Sequence, residues 1–145
     1  HDEVGYNYRL TNIQAALGVA QLENMVNYLV KKNSIFNFYK DALDKIEGIS
    51  IACSPRYASN NHWLNILKIE QNYPLDREKL MRRLEKSNIQ SRPVWALNHL
   101  QKPFKKFQNF KIDNASSLVE ESLCIPSSVN LLDEDLIRIM SVLNE

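Results

Sequence analysis

Three glycines, Gly5, Gly18 and Gly48, are all that this 145-residue chain contains, and no two are neighbours. A glycine-rich phosphate loop is thereby excluded. Cysteine is nearly as scarce. Cys53 and Cys124 stand far apart, each beside apolar residues. Two readings stay open: buried reduced thiols, which suit a cytoplasmic protein, or one disulfide. His1, His62 and His99 are widely separated and no Cys cluster accompanies them, so no metal site is expected. There is no G-x-S-x-G, and neither cysteine sits in a catalytic signature, so no self-contained nucleophile is offered. Neither sign of charge dominates: 18 Lys and Arg stand against 17 Asp and Glu, a net charge of +1. That balance gives no footprint for nucleic acid or an anionic membrane. No apolar run reaches the roughly 18–20 residues of a membrane span. The opening His1-Asp2-Glu3-Val4 has no Met and no signal-peptide pattern, and it reads as the interior of a longer protein.

A hydrophobic fraction of 44% with 24% charged residues fits a folded chain with a core. From Ile13 to Ile46 apolar residues recur in steps of three and four with no proline, which predicts an amphipathic helix. Thr11 or Asn12 supplies its N-cap. Its length of about 50 Å is long for a globular helix. Either it bridges two domains, or two helices meet near Lys31-Lys32-Asn33-Ser34. Gly48 closes the run.

Beyond it, Ile49–Cys53 and His62–Glu70 alternate like strands, with a polar turn at 58–61 between them. Asp76 caps a helix to about Lys86 with Leu80, Met81 and Leu84 inward. Ile89-Gln90-Ser91 is a short strand stopped by Pro93. Residues 95–110 are irregular. Asn114 caps a short helix to about Leu123, Cys124-Ile125 is a strand, and Asp133–Leu143 is a closing helix. The expected fold class is α+β: a long N-terminal helix, then a small β-sheet with helices packed on one face. The expected divisions are a loop at 1–12, an inter-domain helix at 13–47 and a small α+β domain at 48–145. No repeat or low-complexity segment is present.

Two stretches invite chemistry. Gly5-Tyr6-Asn7-Tyr8-Arg9 feeds a helix N-terminus, a place that can hold an anion or can be an ordinary helix entry. Arg92 precedes Pro93 and is held extended, which aims a forked donor suited to phosphate or carboxylate. Trp95 offers a flat face for a sugar or base, and His99 a hydrogen-bonding ring. The plain alternative makes Trp95 core, Arg92 a surface ion pair and His99 a satisfied loop residue. Lys102, Lys105 and Lys106 alternate with Phe104, Phe107 and Phe110. The favoured reading there is a solvated loop whose aromatics pack on the sheet, rather than a nucleic-acid reader.

Residues 5–23, GYNYRLTNIQAALGVAQLE, resemble the corresponding segment of the nucleotide-sugar aminotransferases of the DegT/DnrJ/StrS family. Ser91-Arg92-Pro93-Val94-Trp95 with His99, and then Cys124-Ile125-Pro126-Ser127-Ser128, match the family in the same order. The resemblance covers essentially the whole chain, but only the C-terminal part of such an enzyme. It implies the small domain of a fold type I enzyme, a homodimer, and pyridoxal 5'-phosphate as cofactor. By that resemblance Asn7 reaches the partner's cofactor phosphate, Tyr8 and Arg9 lie at the dimer interface, and Arg92, Trp95 and His99 contact the sugar nucleotide. The implied substrates are glutamate and a UDP-linked 4-keto-6-deoxy-N-acetylhexosamine. The family's Schiff-base lysine lies upstream of the first motif, and no lysine here sits in a matching context. The chain is therefore expected to be inactive alone, with no catalytic residue of its own. Where several relatives carry a lysine after the tryptophan, this chain has Ala96-Leu97-Asn98. A non-catalytic α+β binding or interaction domain is the alternative.

Overall fold

The structure, a computed structural model, describes residues 2–6 and 9–145. The long N-terminal helix is two consecutive segments, α1 (Asn12–Glu23) and α2 (Met25–Leu43), separated by Asn24 alone. Thr11 caps α1. Its hydroxyl accepts from the Gln14 N–H, and the Gln14 side chain accepts in return from the Thr11 N–H at 2.9 Å. The junction lies seven residues before the lysine pair at 31–32, through which α2 runs unbroken. At Asn24 the side-chain amide donates back to the Ala20 carbonyl at 3.1 Å, a local bond that competes with helix continuation.

Four strands follow: β1 (Ile49–Ile51), β2 (Asn65–Ile69), β3 (Arg92–Pro93) and β4 (Ser122–Ile125). The sheet is antiparallel throughout, in the order β1-β2-β4-β3, so the last strand in the chain lies between β2 and β3. Helix α3 (Arg77–Lys86) is capped by Asp76, whose carboxylate accepts from the Lys79 N–H at 2.8 Å. Helix α4 spans Asp113–Glu120 and α5 spans Asp133–Asn144. Asp133, Glu134 and Asp135 crowd the first turn of α5, where the helix dipole favours negative charge.

Register explains which face is buried. Ile51, Leu67 and Leu123 fall in one cross-strand row, and Ile49 pairs with Ile69. These side chains share a face and join the core with Ile35, Tyr39 and Leu43 of α2, Leu80 and Leu84 of α3, and the inner residues of α5. Arg92, Cys124 and Ile66 form the neighbouring row, which points to the opposite face.

Several local expectations shift. The strand expected at 89–91 lies at 92–93, because Pro93 is tolerated on an edge strand that needs no donor from it. Asn114 lies inside α4, whose N-cap is Ile112 with no side-chain cap. Cys53 is exposed, since β1 ends at Ile51, and both cysteines are free. Phe107 and Phe110 are 59% and 75% exposed, and so do not pack on the sheet. Lys106 and Lys111 lie over their rings instead.

Asn65 is 1% exposed on the core face, and neither atom of its amide has a hydrogen-bond partner. Gly48 is the one glycine whose backbone demands it. Its φ is +82°, and a Cβ there would stand 2.6 Å from the Tyr73 nitrogen. Gly48 also accepts from the Glu70 N–H at 2.8 Å, fixing the β1–β2 edge. Gly48→Ala should therefore lower unfolding free energy by about 1–3 kcal/mol, as measured by urea denaturation.

Candidate functional site

The site is built on carbonyls at the ends of two central strands. Trp63 lies just before β2, and Ser127 just after β4. Lys32, on α2, sends its ammonium between them. Nζ donates to the Trp63 carbonyl at 3.1 Å and to the Ser127 carbonyl. The Ser127 hydroxyl donates to the same Trp63 carbonyl at 2.9 Å. Two turns later on α2, the Tyr39 hydroxyl donates to the Pro126 carbonyl at 3.0 Å. Burial, and then the Asp135 carboxylate, push the Tyr39 phenol well above its usual range, so it remains a donor. Burial also lowers the Lys32 ammonium from its ordinary value.

The Trp63 backbone is held on its other side too. The Asn61 side chain accepts from the Trp63 N–H at 3.1 Å, and Asn60 accepts from the His62 N–H at 2.9 Å. His62 turns through a left-handed φ of +47° and stacks on Phe36, with ring centroids 4.0 Å apart. This turn leaves the indole of Trp63 63% exposed. Trp95 is equally exposed, and the two indoles lie 5.5 Å apart, tilted by 38°.

Arg92 leaves β3 beside this pair. It is exposed and lies opposite Cys124 on the face away from the helices. Burial pushes the Cys124 thiol up, and the Arg92 guanidinium opposes that less strongly. A groove of about 300 Å³ runs between the strand ends, lined by Leu64, Ser91, Arg92, Cys124, Ser127 and Ser128. The Arg92–Trp95 stretch and the Cys124–Ser128 stretch thus meet in space. His99 lies half-buried in a short 3-10 turn, Asn98–Leu100. The Asp2 carboxylate pairs with Lys102 at 2.5 Å, which ties the start of the chain to the segment just after His99.

Arg9 is exposed with a φ of +51°. Asn7 and Tyr8, expected at the cofactor and the dimer interface, lie outside the described residues. Sequence reasoning placed Trp63 inside a strand, gave Lys32 no role, and included Ser127 in a family match without a role of its own. Their contacts span 31, 64 and 95 residues, so no local pattern reports them. Only the polar pair Asn60-Asn61 before Trp63 hinted at a turn there.

Among the described residues no group of three or more His, Cys, Asp or Glu could hold a metal ion, and no helix is long and apolar enough to cross a membrane. A pyridoxal phosphate cofactor would need a lysine free to bond it and a cradle for its phosphate. The most buried amine of the site, Lys32, is spent on two carbonyls. The described residues therefore do not fit that group by themselves.

The model of the DegT/DnrJ/EryC1/StrS aminotransferase family matches residues 1–144. EpsN of Bacillus subtilis (strain 168) is 34% identical, over 99% of this chain and 37% of its own length. GDP-perosamine synthase of Escherichia coli O157:H7 is 31% identical, over 100% of this chain and 38% of its own. The chain thus spans well under half the length of these relatives. The crystal structure of the sugar aminotransferase CalS13 from Micromonospora echinospora superposes with a TM-score of 0.80 at 21% identity, over 97% of this chain and 36% of that one. It shares the fold.

Two outcomes follow from this framework. Lys32→Met leaves two carbonyls without their shared donor, and should speed amide exchange in segments 61–64 and 126–128 about tenfold or more, since hydrogen bonds to charged groups are worth about 1.5–3 kcal/mol. Hydrogen-exchange mass spectrometry reads this directly. Burial lowers the His62 imidazole below its ordinary 6.5. The unfolded chain therefore takes the proton first. Its contribution to stability is complete above the unfolded value and is lost as pH falls through the folded one. Urea midpoints should fall between about pH 7 and pH 5, and His62→Asn, which tolerates the left-handed backbone, should flatten that portion of the curve.

Proposed function

Because the chain belongs to the DegT/DnrJ/EryC1/StrS aminotransferase family, we propose that it is the small C-terminal domain of a pyridoxal-phosphate-dependent sugar aminotransferase. In the full-length enzyme the reaction replaces the C4 carbonyl oxygen of a nucleotide-linked 4-keto-6-deoxy sugar by an amino group, and glutamate leaves as 2-oxoglutarate. The cofactor supplies the electron sink. This chain supplies a wall of the sugar-nucleotide site. The single observation that carries the reading is the groove where Arg92 meets the Ser127-Ser128 turn, beside the Trp63–Trp95 pair.

Arg92 offers a planar fork to a diphosphate. Trp95 gives the pocket an apolar wall, and His99 hydrogen-bonds the sugar. Resemblance of the Ser91–His99 motif as a whole, rather than a contact made by the indole, favours UDP as carrier and an N-acetylhexosamine as sugar. Asn7 is assigned to the cofactor phosphate across a homodimer, with Tyr8 and Arg9 at that interface. The product would feed bacterial glycan synthesis in the cytoplasm.

Helix α1 supports the view that this domain works against further protein. None of its residues is buried, and Ile13, Leu17 and Leu22 are each more than 60% exposed. Their side chains are spread around the helix, and exposed apolar surface of that extent marks a contact surface. We assign residues 1–12 to the interface loop, 13–47 to the inter-domain helix and 48–145 to the small domain.

In the full-length enzyme, Arg92→Lys and His99→Asn should each slow the half-reaction with the keto-sugar nucleotide by about tenfold or more, the loss of one charge-assisted hydrogen bond. Conversion of the cofactor to its amine form by glutamate should stay within about twofold. Stopped-flow absorbance separates the two. Equal loss in both halves would overturn the substrate-side assignment.

A further inference from the structure

We propose that Trp63 is a binding residue in its own right, forming with Trp95 a fixed aromatic platform on which the nucleobase of the sugar nucleotide stacks. The inference rests on the nucleotide-sugar reading above and specifies which part of that substrate lies where. Trp63 belongs to none of the three sequence motifs.

Exposure alone is not the argument, since single exposed aromatics are common. Trp63 is unusual in the combination of a held backbone and a free side chain. Its N–H is bound by Asn61, and its carbonyl by both Lys32 and Ser127. The preceding His62 is clamped on Phe36. Four separate contacts fix the Cα of a residue whose indole then faces solvent. An indole serving only to fill the core would be buried by such a framework. This one is presented by it. Trp95 reaches the same place from a different segment, after Pro93, and is exposed to the same extent. These are the only two tryptophans in the chain.

The chemistry of the occupant follows from the neighbours. The indoles give flat faces, which suit a planar ring. Arg92, lining the adjoining groove with Ser127 and Ser128, gives a forked cation and two hydroxyls, which suit a diphosphate. A planar ring joined to a diphosphate is a nucleoside diphosphate. Stacking on an aromatic face is tolerant of base identity, because every base has a π-face. Stacking therefore contributes affinity here, while selection among carriers falls to other groups.

The experiment measures dissociation constants of UDP, dTDP, GDP and inorganic pyrophosphate by calorimetry, on the full-length protein and its variants. Trp63→Ala should weaken all three nucleotides about tenfold or more, within the range found when one stacking aromatic is removed, and leave pyrophosphate unchanged. Trp63→Phe should recover most of the loss. Arg92→Lys should weaken nucleotides and pyrophosphate together. Unchanged nucleotide affinity in Trp63→Ala would overturn the proposal while leaving the nucleotide-sugar reading intact. Equal weakening of pyrophosphate would also overturn it, by showing that the substitution disturbs the anion site or the fold. Failure of the unaltered protein to bind any of the nucleotides would overturn both readings at once.

Discussion

Lys32, Ile35, Tyr39 and Leu43 occupy successive turns of one face of α2, and the sheet, α5 and the loops of the site all meet that face. Ile35, Tyr39 and Leu43 are 0% exposed. Burying three large side chains completely contributes several kcal/mol, at about 1.5–3 kcal/mol each. Lys32 and Tyr39 carry the same stripe past the hydrocarbon and onto three backbone carbonyls, those of Trp63, Pro126 and Ser127. One helix face thus does two jobs. Its apolar members hold the sheet, and its polar members set the loops at the end of that sheet.

The same helix changes character along its length. Leu43, near its C-terminus, is sealed, whereas Val26, near its start, is 74% exposed. Helix α1 continues the exposed half with no buried residue at all. The apolar pattern that runs from Ile13 to Ile46 is therefore satisfied within this chain over only its second half. This is the physical content of the domain assignment. The helices belong to the small sheet at one end and leave apolar side chains exposed at the other.

Features fixed by neighbours in sequence were legible. Thr11 and Asp76 are caps because a short polar side chain meets N–H groups three residues on; Asp76 caps as read, and of the two candidates Thr11 and Asn12 it is Thr11 that caps α1. Helix α3 was visible in the spacing of Leu80, Met81 and Leu84, and α5 was expected over Asp133–Leu143, close to its observed Asp133–Asn144. Features fixed at a distance were not. β3 moved onto Pro93 because β4, thirty residues later, provides the partner. Trp63 was placed in a strand because its alternation is correct, but the turn at His62 and the donors from Lys32 and Ser127 hold it outside. Phe107 and Phe110 were assigned to the sheet because aromatics usually bury, yet the sheet offers them no seat. Arg92 and Trp95 were singled out by residue type and by family likeness. Their meeting with Trp63 and the Ser127 turn was not, because only the folded sheet brings strand ends together.

The position of β4 has a consequence for how the chain is made. It is the last strand synthesised, yet it lies between β2 and β3 and pairs with both. Until residues 122–125 have left the ribosome, β2 has a bare edge and β3 has no neighbour. The helix stripe on α2 is complete long before that, with part of its intended cover missing. Nascent chains of this domain therefore pass through a stage of open strand edge and incompletely covered core, the kind of surface that invites pairing with other chains.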